Sequence, residues 1–372
     1  MTRVLAVARF VAQSFFVGLA LIGCSADAAP PRRAPSASSA SASSASLGSA
    51  PPRGGAVGGA GASLPLSLVA DVALPGAANR FDYQDVDRVN GHLVIAHMSD
   101  ASVIVVALSD GAVVKVLPNL PSARGIAVAA DVGRIFVTSS PNQLVVFDAL
   151  ALTEIARVRT GASPDGVAWD PIERVVLVSD QGDGAVSLIA DAGGGARVQL
   201  KVGAETGNVV FDATRGVFWV AAPQATGVDR LVSIDPRTKR TQKQIELPGC
   251  AGAHGLRLDS KGATALVACE VNAVLARVDL DGAHEVVTAK VGLGPDVLAL
   301  DPELGWLYVA AESGDLTVFD LSAAGLAPID REHPDDHAHS VAVDPASHRV
   351  FFPLPTGSSG TPVLRIMKPR GV

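Results

Sequence analysis

The chain has 372 residues, of which 48% are hydrophobic and 4% aromatic, and its formal net charge is −7 at pH 7. The length exceeds that of most single domains, and with so few aromatic residues Val, Ala, Leu and Ile must fill the core. An acidic chain without a Lys/Arg cluster cannot neutralise a phosphate backbone, which excludes a nucleic-acid partner.

Residues 1–23 have the pattern of an export signal. Arg3 and Arg9 give a positively charged start, and an apolar run over residues 10–22 follows with only two polar interruptions. This run is too short for a comfortable membrane span and is soon followed by polar, low-complexity sequence. The sequence therefore predicts a signal peptide and a protein of the cell envelope.

The apolar run ends in "LIGC", which closes on Cys24. This ending resembles the bacterial lipobox, whose Cys is diacylated and becomes the new N-terminus. The resemblance implies a lipoprotein anchored to a membrane through Cys24, and Ser25 after the Cys favours the outer membrane. The alternative is an ordinary signal peptide that is cut near Ala26 to Ala29.

Residues 24–63 consist largely of Ser, Ala, Pro and Gly. Such a composition buries too little apolar surface to offset the entropy of ordering the chain. We expect a flexible tether with a root-mean-square reach of roughly 35 Å.

From residue 64 onward, one pattern recurs: an alternating apolar run, an Asp, a short polar turn and a second apolar run. Clear copies are "DGVAWDPIERVVLV" from Asp165, "HGLRLDSKGATALV" from His254, "DVLALDPELGWLYV" from Asp296 and "HSVAVDPASHRVFF" from His339. The central aspartates of successive copies, about 42 to 47 residues apart, are Asp170, Asp212, Asp259, Asp301 and Asp344. Each repeat divides into four short strands, which is typical of one blade of a β-propeller.

Seven first strands can be counted, so the sequence predicts an all-β fold, a seven-bladed β-propeller over residues 64–372. The last unit contains only three strands of its own. The segment "LSLVADVALPG" at 66–76 reads like the fourth strands of other units. We expect this N-terminal strand to close the last blade, which removes an open sheet edge.

The repeat resembles the YVTN (YncE-like) family of β-propellers. The resemblance is carried by "RIFVTSS" from Arg134, "WLYVAAE" from Trp306, the "VFD" endings at Asp148 and Asp320, and the opening "RFDYQDVD". It implies an extracytoplasmic propeller but no particular chemistry, since this fold alone licenses no activity.

In a propeller the first strands line the central channel, and their starts surround one mouth. Aligning the repeats places one residue of each blade there: Asp82, Arg124, Asp165, Gly207, His254, Asp296 and His339. The Asp and His members are possible ligands of a divalent cation, with Arg124 opposite them to pair with an anion or a carboxylate. The alternative is a structural ring that only solvates the channel. Other polar residues predicted on this face are His97, Asp180, Glu205, Asn208, Glu270, Glu312 and His337.

Two classes of function follow from this ring. The first is a non-catalytic binding or scaffold protein of the envelope, with a small molecule, a cation or an envelope protein as its partner. The second is a metal-dependent hydrolase such as a lactonase, for which Glu205, Asn208 and Asp296 would form the cation shell, or a quinoprotein-like oxidoreductase. Common enzyme motifs are missing, so we expect the first class, and any cofactor beyond a divalent cation is unknown.

Cys250 and Cys269 are the remaining cysteines. Cys250 precedes the first strand of the fifth unit, and Cys269 ends the adjacent antiparallel strand. In an oxidising compartment this placement predicts a disulfide bridge, with two buried free thiols as the alternative.

Overall fold

The computed structural model describes residues 66–190, 195–259, 261–322 and 325–372. The predicted signal peptide, Cys24 and the tether lie outside these residues. The described residues form seven antiparallel sheets of four strands each. The seven-bladed all-β propeller predicted from the sequence is therefore confirmed.

Each blade is built from four strands in sequence order, apart from the last. The first strands of blades one to seven are β2 (Gln84–Asp87), β6 (Ile126–Ala129), β10 (Pro164–Asp170), β14 (Val209–Asp212), β18 (Ala253–Leu258), β22 (Pro295–Asp301) and β26 (Ala342–Asp344). The second strands are β3 (His92–His97), β7 (Arg134–Ser139), β11 (Val175–Asp180), β15 (Val217–Ala222), β19 (Thr264–Cys269), β23 (Trp306–Ala311) and β27 (Arg349–Leu354). The third strands are β4 (Ser102–Ala107), β8 (Gln143–Asp148), β12 (Ala185–Ala190), β16 (Arg230–Asp235), β20 (Val274–Asp279), β24 (Leu316–Asp320) and β28 (Val363–Pro369). The fourth strands are β5 (Val113–Leu117), β9 (Glu154–Arg159), β13 (Arg197–Lys201), β17 (Arg240–Glu246), β21 (Val286–Lys290), β25 (Pro328–Glu332) and, for blade seven, β1 (Leu66–Ala73).

Helix is limited to single turns in the described part of the chain. Three 3₁₀ turns connect strands at Met98–Asp100, Ala130–Val132 and Gln181–Asp183. None of the helices described there is long and apolar enough to cross a membrane.

The first and the last described strands pair in blade seven, as predicted. β1 pairs antiparallel with β28, from Leu66 opposite Pro369 to Ala73 opposite Val363. Arg365 of β28 reaches across this pair with two hydrogen bonds to the Asp71 carboxylate, at 2.9 and 2.7 Å from Nε and Nη2. A bidentate guanidinium–carboxylate pair fixes the register as well as adding energy. The closing strand is thus held by both its backbone ladder and its side chains.

The Asp that ends five of the seven first strands shapes the turn that follows. In blade three, Asp170 Oδ1 accepts hydrogen bonds from the backbone N–H groups of Ile172 and Glu173, at 2.8 and 3.2 Å. Asp301 in blade six does the same with Glu303 and Leu304. An Asp side chain that bonds its own backbone two residues later stabilises a tight turn. The aspartates that reveal the repeat are therefore structural.

The core lies between neighbouring blades. Between blades four and five, for example, Trp219 and Leu231 pack against Leu256 and Val267, and all four are buried. Since each sheet presents alternate residues to opposite faces, each blade contributes one face to each of two such layers. Aliphatic residues supply most of this buried surface, which agrees with the small aromatic content.

The predicted disulfide bridge joins Cys250 to Cys269, with their Cα atoms 5.3 Å apart. It ties the connection that leaves blade four to the second strand of blade five. The bridge closes a loop of 19 residues, and in the chain-entropy model such a loop restricts the unfolded chain by about 3 kcal/mol.

Replacing both cysteines, as Cys250→Ala with Cys269→Ala, should lower the free energy of unfolding by about 3 kcal/mol, because the unfolded chain regains its freedom. Guanidinium chloride denaturation of the full chain measures this loss. Dithiothreitol should produce the same loss in the natural protein and none in the variant. A natural protein whose unfolding free energy does not respond to dithiothreitol would contradict the prediction.

Candidate functional site

The seven first strands converge at one mouth of the channel so closely that some positions there require Gly. A Cβ atom at Gly125 would collide with the backbone oxygen of Asp165 in the next blade, and one at Gly255 with that of Asp296. Each of these glycines follows a ring residue, Arg124 or His254. Because the backbones touch at these points, the ring side chains are forced toward one another.

Three ring carboxylates, on Asp82, Asp165 and Asp296, are 4%, 2% and 4% exposed. Burial, followed by the charges of Asp296 and Asp165, raises the pKa of Asp82 well above its usual value. Burial likewise raises the pKa of Asp165. The Oδ2 atom of Asp165 is buried and has no hydrogen-bond donor among the described residues. This cluster carries negative charge that its own hydrogen bonds do not satisfy.

His254 lies between two of these carboxylates. Its Nε2 atom is 3.4 Å from Asp165 Oδ2 and 3.6 Å from Asp296 Oδ1, while Nδ1 is 3.8 Å from Glu270 Oε1. Burial opposes protonation of this ring, but Asp165, Asp296, Glu270 and Asp82 outweigh burial and raise the pKa of His254. Two ligand atoms of a tetrahedral zinc ion lie about 3.4 Å apart, and the spacings of 3.4 and 3.6 Å from Nε2 to the two Asp oxygens are close to that value.

Two arginines face the same space. Arg124 Nη1 donates a hydrogen bond of 2.8 Å to Gln181 Oε1 and lies 3.7 Å from Asp165 Oδ1. Arg80 Nη2 lies 2.7 Å from Glu312 Oε1 and 3.6 Å from Asp296 Oδ2. Arg124 pairs with a ring carboxylate, as expected from the sequence. Arg80 lies two residues before the ring residue Asp82 and was not predicted at this site.

Together these residues surround a cavity of about 270 Å³. Its lining residues are Arg80, Asp82, Tyr83, Met98, Arg124, Asp165, Gln181, His254, Glu270, Asp296 and Glu312. Five carboxyl groups thus face two guanidinium groups and one imidazole, so acidic side chains outnumber basic ones in the lining. Such a cavity attracts cations.

Two sets of three side chains in this region have the geometry of a metal-binding group. One ligand atom from each member lies within 4.8 Å of the other two in the set His254, Glu270 and Asp296, and in the set Asp296, Glu312 and His339. Asp296 belongs to both sets, and its Oδ1 atom also accepts a hydrogen bond of 3.1 Å from the Tyr83 hydroxyl. We call these the first and the second acidic group.

The two Glu residues differ in their surroundings. Burial raises the pKa of Glu270, and the charge of His254 only partly opposes that effect. Burial of Glu312 acts in the same direction, but its hydrogen bond with Arg80 and the charge of His339 reverse the result and lower the pKa of Glu312. The first group therefore retains an unbalanced carboxyl, while Arg80 balances the second.

Of the five metal ligands predicted from the sequence, the structure brings Asp165, His254 and Asp296 into direct contact. Asp82 interacts with them through its charge. His339 lies at the edge, where its Nδ1 and Nε2 atoms are each 3.1 Å from a backbone oxygen, of His337 and Phe81 respectively.

Other residues predicted on this face lie elsewhere. His97 is fully buried and stacks on Phe81, with ring centroids 4.1 Å apart. Asp180 is also buried, and it accepts hydrogen bonds from Ser187 and Gln199 inside its blade. In both cases the last residue of the second strand points into the blade. The next residue, Met98 or Gln181, points to the cavity.

The proposed hydrolase shell is not assembled. Glu205 is exposed and is not among the residues that line the cavity. Asn208 lies deeper in the channel, beside a small cavity of about 50 Å³. Only Asp296 of these three is part of the carboxylate cluster.

A larger cavity of about 440 Å³ lies at the opposite mouth, but the carboxylates that line it already accept hydrogen bonds from neighbouring groups. Asp212 there accepts hydrogen bonds from Arg215 and Trp219. Asp85 accepts one of 2.7 Å from the Val128 N–H. The acidic mouth is the better candidate because Asp165 Oδ2, one of its buried carboxylate oxygens, has no hydrogen-bond donor among the described residues.

No protein-family model matches the chain, and no curated protein matches it in sequence. Among solved structures, hydrazine synthase of Kuenenia stuttgartiensis is similar with a TM-score of 0.63 and 16% identity, covering 76% of this chain and 94% of that one. Virginiamycin B lyase from Staphylococcus aureus is similar with a TM-score of 0.66 and 11% identity, covering 81% and 99%. At such identities the likeness shows the β-propeller fold alone.

Proposed function

We propose that this protein is a non-catalytic binding protein of the cell envelope that holds one divalent cation at the channel mouth. The observation that carries the proposal is the first acidic group, where His254, Glu270 and Asp296 have ligand atoms within 4.8 Å of one another. One imidazole nitrogen with carboxylate oxygens is a donor set that suits Zn²⁺ or Mn²⁺ better than Ca²⁺.

The surroundings of this group support the same proposal. Asp165 and Asp82 add two buried carboxyls beside it, and Oδ2 of Asp165 lacks a hydrogen-bond donor among the described residues. A buried carboxylate without a partner is costly, and a cation removes that cost. The cavity is open to solvent through half-exposed Glu270, so an ion and its remaining waters can enter.

Binding without catalysis is favoured over the hydrolase alternative by the position of Glu205, which stays outside the cavity. A lactonase-like shell would need that carboxylate beside Asn208 and Asp296. We also propose that the repeat is related to the YVTN family, which implies a propeller outside the cytoplasm.

The cellular address is proposed from the sequence alone: a lipid anchor at Cys24, in the outer membrane. The replacement Cys24→Ser should release the protein from the detergent-soluble membrane fraction, because the acyl chains that hold it there are lost. Cell fractionation with intact-mass measurement tests this. Natural mature protein that is free in the periplasm and begins after Ala29 would contradict the anchor.

Zinc ions should raise the melting temperature of the purified full chain, since a ligand that binds only the folded state stabilises it. The rise should be larger at pH 8 than at pH 5.5. His254 binds an ion only when neutral, and its neighbours raise its pKa, so protonation competes with the ion already above the ordinary value of about 6.5. Scanning calorimetry with and without Zn²⁺, repeated with Mn²⁺, Ca²⁺ and Mg²⁺, measures the effect.

His254→Ala should weaken zinc binding by at least about 100-fold, because a direct ligand is lost. His333→Ala is the matched control: His333 lies 3.0 Å from Asp315 and 3.1 Å from Asp336 on the exposed surface, outside both acidic groups. Equal loss in both variants would indicate adventitious surface binding. Melting that none of the four ions changes, in protein purified without metal, would refute the proposed function.

A further inference from the structure

The two acidic groups are related by a shift of one blade. Each contains the ring residue of one blade, the Glu that follows the second strand of that blade, and the ring residue of the next blade. The first group takes His254 and Glu270 from blade five and Asp296 from blade six. The second takes Asp296 and Glu312 from blade six and His339 from blade seven.

This arrangement occurs at neighbouring positions because only two blades carry Glu there. The residues after the seven second strands are Met98, Ser140, Gln181, Pro223, Glu270, Glu312 and Pro355. The propeller geometry thus repeats one three-residue group twice, with His and Asp exchanged between its two ring positions. By ligand type alone, both groups could hold a divalent ion.

Arg80 makes the two groups different. Its Nη2 atom lies 2.7 Å from Glu312 Oε1 and 3.6 Å from Asp296 Oδ2, so its guanidinium contacts two of the three members of the second group. In the described part of the chain, no Lys or Arg forms an ion pair with Glu270, which faces the His254 ring instead.

The imidazole of the second group remains a usable ligand. Both nitrogens of His339 are 3.1 Å from backbone oxygens. A neutral imidazole has a single N–H, so one of these nitrogens faces an oxygen without a proton. Nδ1 is also 3.8 Å from Glu312 Oε2, which makes it the nitrogen that an ion beside Glu312 would use.

We propose that Arg80 is a built-in cation that occupies the second acidic group and so limits the mouth to one divalent ion, held by the first. The inference rests on the proposed function, since it concerns how many ions that same mouth takes. A guanidinium cannot lose its charge in a protein, so it repels a dication that approaches Glu312, the carboxylate that it pairs most closely and that belongs to the second group alone.

Arg80 can be replaced without disturbing the core. Its side chain is 38% exposed and that of Glu312 is 42% exposed. Arg80 precedes β2 and belongs to no strand. Without the charge of Arg80, no guanidinium neutralises Glu312 and Asp296. An ion can then bind between these two carboxylates and His339.

The test counts zinc ions bound per full chain by equilibrium dialysis and by native mass spectrometry. The natural protein should bind one, and Arg80→Met, which keeps much of the aliphatic stem, should bind two. Arg80→Lys keeps a cation and should bind one. Arg88→Ala removes the same charge at an exposed position 3.8 Å from Asp344, away from the mouth, and should also bind one.

A second pair of variants separates the two groups. His254→Ala should bind no zinc tightly, and His254→Ala with Arg80→Met should bind one ion, in the second group. If the natural protein binds one ion and Arg80→Met also binds one, the inference about Arg80 is wrong while the proposed function stands. Two ions in the natural protein would overturn the inference as well. If the natural protein binds no zinc ion, the proposed function is wrong. If Arg80→Met binds none either, the inference about Arg80 is wrong as well.

Discussion

The close approach of seven strands at the channel mouth is the constraint on which the candidate site depends. Where a Gly follows the ring residue, as at Gly125 and Gly255, the backbones of neighbouring blades are in contact. Ring side chains at such a point cannot spread apart. Asp82, Asp165 and Asp296 are therefore buried together, although their mutual repulsion opposes folding.

The surrounding residues relieve this repulsion only in part. Arg124 pairs with Asp165 on one side, and Arg80 pairs with Asp296 and Glu312 on the other. Between them, the imidazole ring of His254 lies 3.4–3.8 Å from three carboxylates and makes no hydrogen bond to the described residues. This is the place at the mouth where we propose that a cation completes the charge balance. Binding of this kind needs no catalytic group.

Most of the fold was predictable because the repeat is periodic in both length and hydrophobic pattern. The closing strand and the bridge between Cys250 and Cys269 followed from that repeat and are confirmed. The site was harder, because one residue of offset reverses the direction of a side chain in a strand. His97 and Asp180 were expected at the mouth but point into their blades.

Arg80 was missed for a different reason. It lies in the connection between β1 and β2, two residues before the ring residue Asp82, and the repeat pattern does not show that its side chain reaches blade six. Only the closure of the propeller, which brings blade one beside blade seven, carries it to Glu312 of blade six. The number of ions that we propose for the mouth therefore depends on a contact between blades that the repeat pattern does not reveal.

Anomalous X-ray scattering from crystals of the protein grown with zinc tests the central claim most directly. The account predicts one strong peak at the mouth, about 2.0 to 2.2 Å from a nitrogen of His254 and from carboxylate oxygens of Glu270 and Asp296. It also predicts that Arg80 still pairs with Glu312. A mouth with no peak, or a peak between Glu312 and Asp296 with Arg80 displaced, would contradict it.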